Sequence, residues 1–440
     1  MSCRACCLVV AWFSLSLAGC ATYSDRLSDV RQTFYAGDLD RTAQAIDKSL
    51  KHPGHDADVL KLEHAMVDLT AGRPQQAEQA LREVRDHFDY LEQKSLAESA
   101  ISMLTDDNSK SYAGEDYEKI LIRSFLALSN LFNGGQDAQA YSLQITDKQQ
   151  QVISAGLDKH GDNPKLAYKQ VALGPYLHGL IREETHANFD DVARASAMVV
   201  SWQPDFVFGR ADLERAQHGR HSLPGNGVLY VFTLTGRGPY KEQAIEIPST
   251  VALLVADRIL SNNSTYSLPP TIAPIKVPKV VVPRNGVSNV RVAVDHRPVG
   301  TTATITDVGR MAAEQYEAIY PRVIGTAVVR RIVKKGIVYG AKEAIGGKRN
   351  SLLNFGLDAA GVAWEATEAA DTRCWGLLPE KIQVLRIELP AGPHQISLQA
   401  EGSSGVGREE TGGVTITNGR NTYLLANFPD AQLVGKILTK

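Results

Sequence analysis

The sequence predicts an α+β chain of more than one domain: an all-α N-terminal array of helical hairpins, then a mixed domain. The mixed domain is expected to combine an antiparallel β-sheet or sandwich with a helical pair. Three observations predict this. Over residues 23–218 apolar side chains recur at helical spacing, broken at intervals by turn residues. At Leu223-Pro224-Gly225-Asn226-Gly227 that pattern stops. Beyond it lie short β-rich runs separated by Gly, Pro and Asn. A length of 440 residues suits two or three domains. The expected divisions are a leader at 1–19, an anchor at 20–22, a helical domain at 23–218, and a β-rich domain at 219–440 with helices at about 308–370.

The helical half shows a repeat. Ala36-Gly37 leads to Gln44-Ala45-Ile46, and Ala71-Gly72 leads to Gln79-Ala80-Leu81, each landmark recurring after 35 residues. Gly37 and Gly72 suit the left-handed residue between two helices, and Ala45 and Ala80 let the second helix approach the first. Pro53 follows one second helix and Pro74 opens the other. The spacing resembles the ~34-residue period of tetratricopeptide repeats. Looser pairs follow, one around the turn Asn133-Gly134-Gly135 and one over 176–204 with Asp190 as its turn or N-cap. The consensus Trp and Tyr positions are not cleanly filled, so an irregular helical bundle is the alternative. Repeat arrays commonly bind peptides or proteins on a concave surface. Tyr112, Tyr117, Phe125 and Phe132 fit an aromatic groove, but aromatics at helical spacing more often fill a core.

In the second half, Val228-Leu229-Tyr230-Val231-Phe232-Thr233-Leu234 is apolar on both faces, as in a strand buried within a sheet. It ends at the turn Gly236-Arg237-Gly238-Pro239. Ser249 is placed to cap a helix through Leu260. Prolines 269, 270, 274, 278 and 283 favour extended or edge structure. Val290, Val292 and Val294 alternate with polar or small residues, giving one-sided burial. Asp307 suits the cap of a helix ending before Pro321. A basic helix over 322–345 and an acidic one over 352–371 then suit each other as a pair. The strands expected last are 383–389, 394–400, 413–417 and 422–428, with Asn418-Gly419 as a hairpin turn.

The first nineteen residues combine Arg4, an apolar stretch from Cys6 to Leu17 and a small-residue end, as in a secretory leader. The apolar stretch is shorter than the ~20 residues that cross a bilayer. Leu17-Ala18-Gly19-Cys20 resembles the bacterial lipobox. That resemblance implies cleavage before Cys20, acylation of Cys20 (palmitate among the chains), and attachment to a membrane without a spanning helix. Two or more acyl chains are needed for firm anchoring. Ala21, in place of the Asp typical of inner-membrane lipoproteins, implies the periplasmic side of the outer membrane. Loss of the leader removes Cys3, Cys6 and Cys7, and lipid takes Cys20, so Cys374 is left as a lone thiol. A small buried residue is expected there.

The order Ala370-Asp371-Thr372-Arg373, Trp375, Leu378-Pro379 and Leu389-Pro390-Ala391-Gly392, with the turn at 236–239, resembles a family of uncharacterised bacterial lipoproteins. Its members have a tetratricopeptide-like helical first half and a β-rich second half. The resemblance implies a place in envelope maintenance and carries no activity with it. Arg237, Tyr240, Asp371, Arg373 and Trp375 are the candidate recognition residues, although an ion pair at a helix end equally explains Asp371 and Arg373.

No catalytic constellation appears. Gly346-Gly347-Lys348-Arg349 has Lys342 and Arg349 where a phosphate loop needs Gly and Ser or Thr. Gly225-Asn226-Gly227 lacks the third glycine of a dinucleotide loop, and Gly402-Ser403-Ser404-Gly405 reads as a hairpin loop. His52, His55, Asp56 and Asp58 flank Pro53-Gly54, which indicates a solvated turn more than a metal site. No cofactor, metal or enzymatic activity is expected. With 47 basic and 49 acidic side chains, the near-neutral balance argues against nucleic acid as a partner. The expected role is an outer-membrane-anchored protein-binding scaffold or envelope assembly factor, touching the membrane through Cys20 and an unidentified envelope protein or peptide. The alternatives are an envelope enzyme with a site in the β-rich half, or a membrane-active module using the helix 322–345.

Overall fold

The computed structural model describes residues 21–97, 110–158, 161–263, 268, 274–344, 369–403 and 405–440. The chain is α+β, with helices in its first half and mainly antiparallel sheets in its second. The helices pack as consecutive neighbours: α1 (Tyr23–Arg26), α2 (Ser28–Tyr35), α3 (Leu39–Leu50), α4 (Ala57–Thr70), α5 (Pro74–Ala97), α6 (Asp116–Phe132), α7 (Ala138–Ser154), α8 (Leu173–Glu183), α9 (Phe189–Trp202) and α10 (Gly209–Gln217).

The two glycines 35 residues apart end their helices identically. Gly37 (φ 82°) and Gly72 (φ 83°) are both left-handed. Gly37 N–H donates to Phe34 O and Asp38 N–H to Thr33 O, both at 3.0 Å; Gly72 N–H donates to Leu69 O at 3.1 Å and Arg73 N–H to Asp68 O at 2.8 Å. This paired 5→2 and 6→1 pattern satisfies carbonyls that the helix end would otherwise leave open. In the later pair, α9 is capped by Asn188 at φ 57°, with Asp190 inside the first turn instead of at the cap.

The second half forms two main sheets. One has the order β11 (Val434–Thr439), β10 (Asn421–Phe428), β1 (Asn226–Arg237), β7 (Pro379–Pro390), β6 (Ala303–Asp307). The other runs β5 (Arg297–Thr301), β4 (Asn289–Val294), β8 (Gly392–Gly402), β9 (Gly405–Ile416). A third pairs β2 (Tyr240–Glu246) with β3 (Ile275–Val281). β1 lies at the centre of three layers. Val228, Tyr230, Phe232 and Leu234 pack into the helical core, while Leu229 and Val231 face the second sheet through Val290, Val292, Ile396 and Leu398. This explains a strand apolar on both faces. One hydrophobic cluster therefore joins helices α1 to α9 with β1, β7 and β10.

Several expectations differ in detail. β1 pairs antiparallel with β7 but parallel with β10. Asn418-Gly419 makes no hairpin: β9 belongs to the second sheet and β10 to the first, so the turn carries the chain between layers. Pro321 does not end a helix. Asp307 accepts the N–H of Arg310 at 2.9 Å, and α12 (Val308–Ala344) continues through the proline. Packing on both sides of it outweighs the lost hydrogen bond: Met311 and Ala312 join the main core, and Ile324, Val328 and Val329 meet α11 (Thr250–Asn263) and β3. Over residues 324–333 the apolar side of the basic helix is thus covered within the protein. The acidic partner expected over 352–371 lies outside the described residues except at its end, where 369–371 are not helical. No helix among the described residues is long and apolar enough to cross a membrane.

Candidate recognition site: a strap held by two buried glutamates

Residues 370–378, which lead into β7, form a strap without regular secondary structure up to Trp375 and a turn at 376–377. The strap lies across the helical array, and its main chain is gripped by side chains of α4 and α6. Glu63 and Glu118 are each 0% exposed. Glu63 accepts the N–H groups of Gly376 (Oε1) and Leu377 (Oε2), each at 2.8 Å. Glu118 Oε1 accepts Trp375 N–H at 2.7 Å, and its other oxygen accepts the Tyr112 hydroxyl at 2.5 Å. Tyr35 OH donates to Gly376 O at 3.2 Å, and Ser24 N–H donates to Thr372 Oγ1 at 3.1 Å.

Burial pushes the Glu63 carboxyl up to about 8, against the two amide hydrogen bonds that favour its charged form. Glu118 is pushed up to about 7 by burial and by the charge of Glu115, opposed by Tyr112, the Trp375 amide and Lys241. Lys241 pairs with Glu115 beside the same cluster and is itself buried. Burial and neighbouring Glu118 raise the Cys374 thiol well above its usual range, and Cys374 is 2% exposed. This is an environment for an inert thiol.

All five candidate recognition residues lie around the strap: Arg373 and Trp375 are buried, Asp371 and Tyr240 half-buried, and Arg237 exposed. Trp375 is fully buried, edge-on to Phe125 with ring centroids 5.4 Å apart. Arg373 is buried and forks onto Asp371 at 2.9 and 2.7 Å, donates to Lys110 O at 2.8 Å, and stacks over Tyr112. Burial opposes ionisation of Asp371, but Arg373 outweighs it and holds that carboxyl below its ordinary value. The pair therefore ties an irregular strap instead of a helix end. Arg237 sits over the Tyr35 ring at 4.7 Å and pairs with Asp430 at 2.6 Å. The Tyr240 ring lies under Arg31 at 4.8 Å. The glycine turn at 236–239 abuts the strap's end: Gly238 N–H donates to Leu378 O at 2.8 Å, and a Cβ there would stand 2.2 Å from that oxygen.

Tyr112, Tyr117 and Phe125 belong to the core beneath the strap, with Phe132 packed against it. Asp56 pairs with Arg26 at 2.7 Å and Asp58 with His87 at 2.7 Å, while His55 contributes its backbone carbonyl to the strap contacts. Among the described residues no group of three or more His, Cys, Asp or Glu is arranged to hold a metal ion. Sequence reasoning missed Glu63 and Glu118. The available signal was a lone acid within an apolar helical run, as in Val59-Leu60-Lys61-Leu62-Glu63-His64-Ala65-Met66.

A second polar tie joins the halves farther along. Glu183, 1% exposed, accepts Arg215 Nε at 2.6 Å and the Tyr230 hydroxyl at 3.1 Å, linking α8, α10 and β1. Compared with protein families, curated proteins and solved structures, the chain matches none.

Proposed function

We propose that this chain is a lipoprotein held at the periplasmic side of the bacterial outer membrane by Cys20, where it serves as a protein-binding scaffold or assembly factor. The observation that carries the scaffold reading is the way the helical array holds the strap. Glu63 and Glu118 grip main-chain N–H groups, and such contacts accept an extended segment with little regard to its side chains. A helical array that binds a peptide segment of its own chain has the chemistry to bind others on its remaining faces. The lipid reading rests on Leu17-Ala18-Gly19-Cys20 and on the closeness in sequence of Cys20 to the helix Tyr23–Arg26. In-cell crosslinking of a tagged protein, with identification of what is captured, tests the scaffold. Specific envelope proteins are expected with the wild type. Capture no greater than that of a Cys20→Ala control would contradict the reading.

A further inference from the structure

We propose that the cleft between β6, the first turns of α12 and the segment ahead of α8 binds a primary carboxamide. The ligand class is the side chain of glutamine or asparagine, free or within a polypeptide. The inference does not depend on how the protein is anchored.

The cleft encloses about 30 Å³ within an open space of about 420 Å³. The smaller volume holds roughly two or three water-sized groups, at ~10–15 Å³ each, which suits the oxygen and nitrogen of one amide. Two of the side chains lining it are polar, buried and without a hydrogen-bond partner among the described residues. Gln315 is 4% exposed, and neither its Oε1 nor its Nε2 is paired. Thr306 is 5% exposed, and its hydroxyl is also unpaired. Buried polar groups are normally satisfied, so two such side chains on one cleft call for a reason. The backbone sets both in place. Val308, Met311 and Ala312 share the inward face of α12 with Gln315 and join the main core. β6 is an edge strand whose pairing with β7 slips between Thr304 and Thr306, leaving Ile305 as an extra residue. Such bulges re-aim a side chain and recur beside binding sites. The facing wall is fixed: Gln149 Oε1 accepts the N–H of Val171 at 2.6 Å, and Lys169 pairs with Glu314 at 2.8 Å.

The amide of Gln315 offers donors and an acceptor in one plane. A primary carboxamide complements both at once, donating to Oε1 and accepting from Nε2, with a further N–H or lone pair left for Thr306. A carboxylate has no hydrogen for Oε1, and an ammonium has no acceptor for Nε2. Val171, Ala172, Ile305 and Met311 supply a buried apolar lining, where an ion would lose its hydration. The charged members of the lining are exposed, as Lys169 and Arg310 are, or half-buried, as Asp307 and Glu314 are. They suit the ammonium and carboxylate of a free amino acid whose amide lies deeper. Both polar atoms of Gln315 are covered, so an entering amide turns that side chain about its terminal torsions onto the cleft. Rotamer changes of this size commonly accompany binding.

Saturation-transfer NMR titrations of the full chain test this. The probes are propionamide, L-glutamine and N-acetyl-L-glutamine methylamide, each beside its carboxylate analogue. Carboxamides are expected to bind about tenfold or more tightly than their carboxylates, with that preference lost in Gln315→Leu and weakened in Thr306→Val. Because leucine removes an unsatisfied amide, Gln315→Leu should keep or raise the urea midpoint, which a structural role for the amide would lower. Binding of L-glutamine without the blocked form assigns the site to the free amino acid. Binding of the blocked form assigns it to a glutamine residue in a polypeptide. No carboxamide binding, equal binding of the carboxylates, or wild-type affinity in folded Gln315→Leu would each overturn the proposal. If Gln315→Leu failed to fold, the wild-type preference and the Thr306→Val titration carry the same decision.

Discussion

Glu63 on α4 and Gly376 on the strap stand 313 residues apart in sequence and are joined by a 2.8 Å hydrogen bond inside the protein. The second oxygen of the same carboxyl group takes the next amide, that of Leu377. A single side chain thus fixes where the β-rich half crosses the helices. Glu63→Ala leaves two buried N–H groups without acceptors, at about 1–3 kcal/mol each, so a loss of roughly 2–6 kcal/mol is expected. Chemical denaturation measures it. A midpoint equal to wild type would show that the strap is held by packing alone.

The two buried carboxyls set a pH dependence. Glu63 is raised from 4.5 to about 8 and Glu118 to about 7, so between these values the folded protein binds more protons than the unfolded chain. Their contribution is fully present below about 4.5 and is lost as pH rises through about 7 and 8. Stability falls with rising pH by up to ~1.4 kcal/mol per pH unit for each proton of difference. Urea titrations from pH 5 to 9 should show this decline, and a Glu63→Gln, Glu118→Gln variant should flatten it. An unchanged slope in the variant would contradict the assignment.

Two glycines with positive φ separate backbone strain from close packing. Gly435 (φ 79°) would place a Cβ 2.1 Å from the carbonyl oxygen of Thr70 at the end of α4, whereas Gly405 (φ 99°) has nothing within 4 Å. Gly405→Ala should cost roughly 1–2 kcal/mol through the left-handed backbone alone. Gly435→Ala should cost about 1–3 kcal/mol more from overpacking. Thermal and urea unfolding of the two variants provide the comparison. Equal losses would place β11 away from α4.

Trp375 is fully buried within the cluster shared by helices and sheet. Trp375→Ala should destabilise by about 3–5 kcal/mol. Because one core spans both halves, far-ultraviolet circular dichroism and tryptophan fluorescence should report one coincident transition in the wild type. Two separated transitions would show that the halves unfold independently.

The fold was legible where a local rule had one solution. Gly37 and Gly72 announced helix ends because a left-handed residue closes both, and the two-sided apolar run of β1 announced a buried strand. Legibility failed where distant packing decided. Pro321 reads as a stop, yet contacts on both sides carry α12 through it. Asn418-Gly419 has hairpin chemistry, but its flanking strands belong to different sheets, and the parallel partner of β1 lies almost two hundred residues away. At the site, Asp371, Arg373 and Trp375 stood out by residue type. Glu63 and Glu118 did not, because an acid in a helix looks solvated until the segment that covers it is known.

The central proposal is that lipid on Cys20 holds the folded body at the membrane. Membrane fractionation of wild type and Cys20→Ser in the native host, with denaturation midpoints of both, tests it most directly. The account predicts wild type in the outer-membrane fraction and Cys20→Ser as an equally stable protein in the soluble periplasm. A folded Cys20→Ser protein that stayed with the membrane would contradict it.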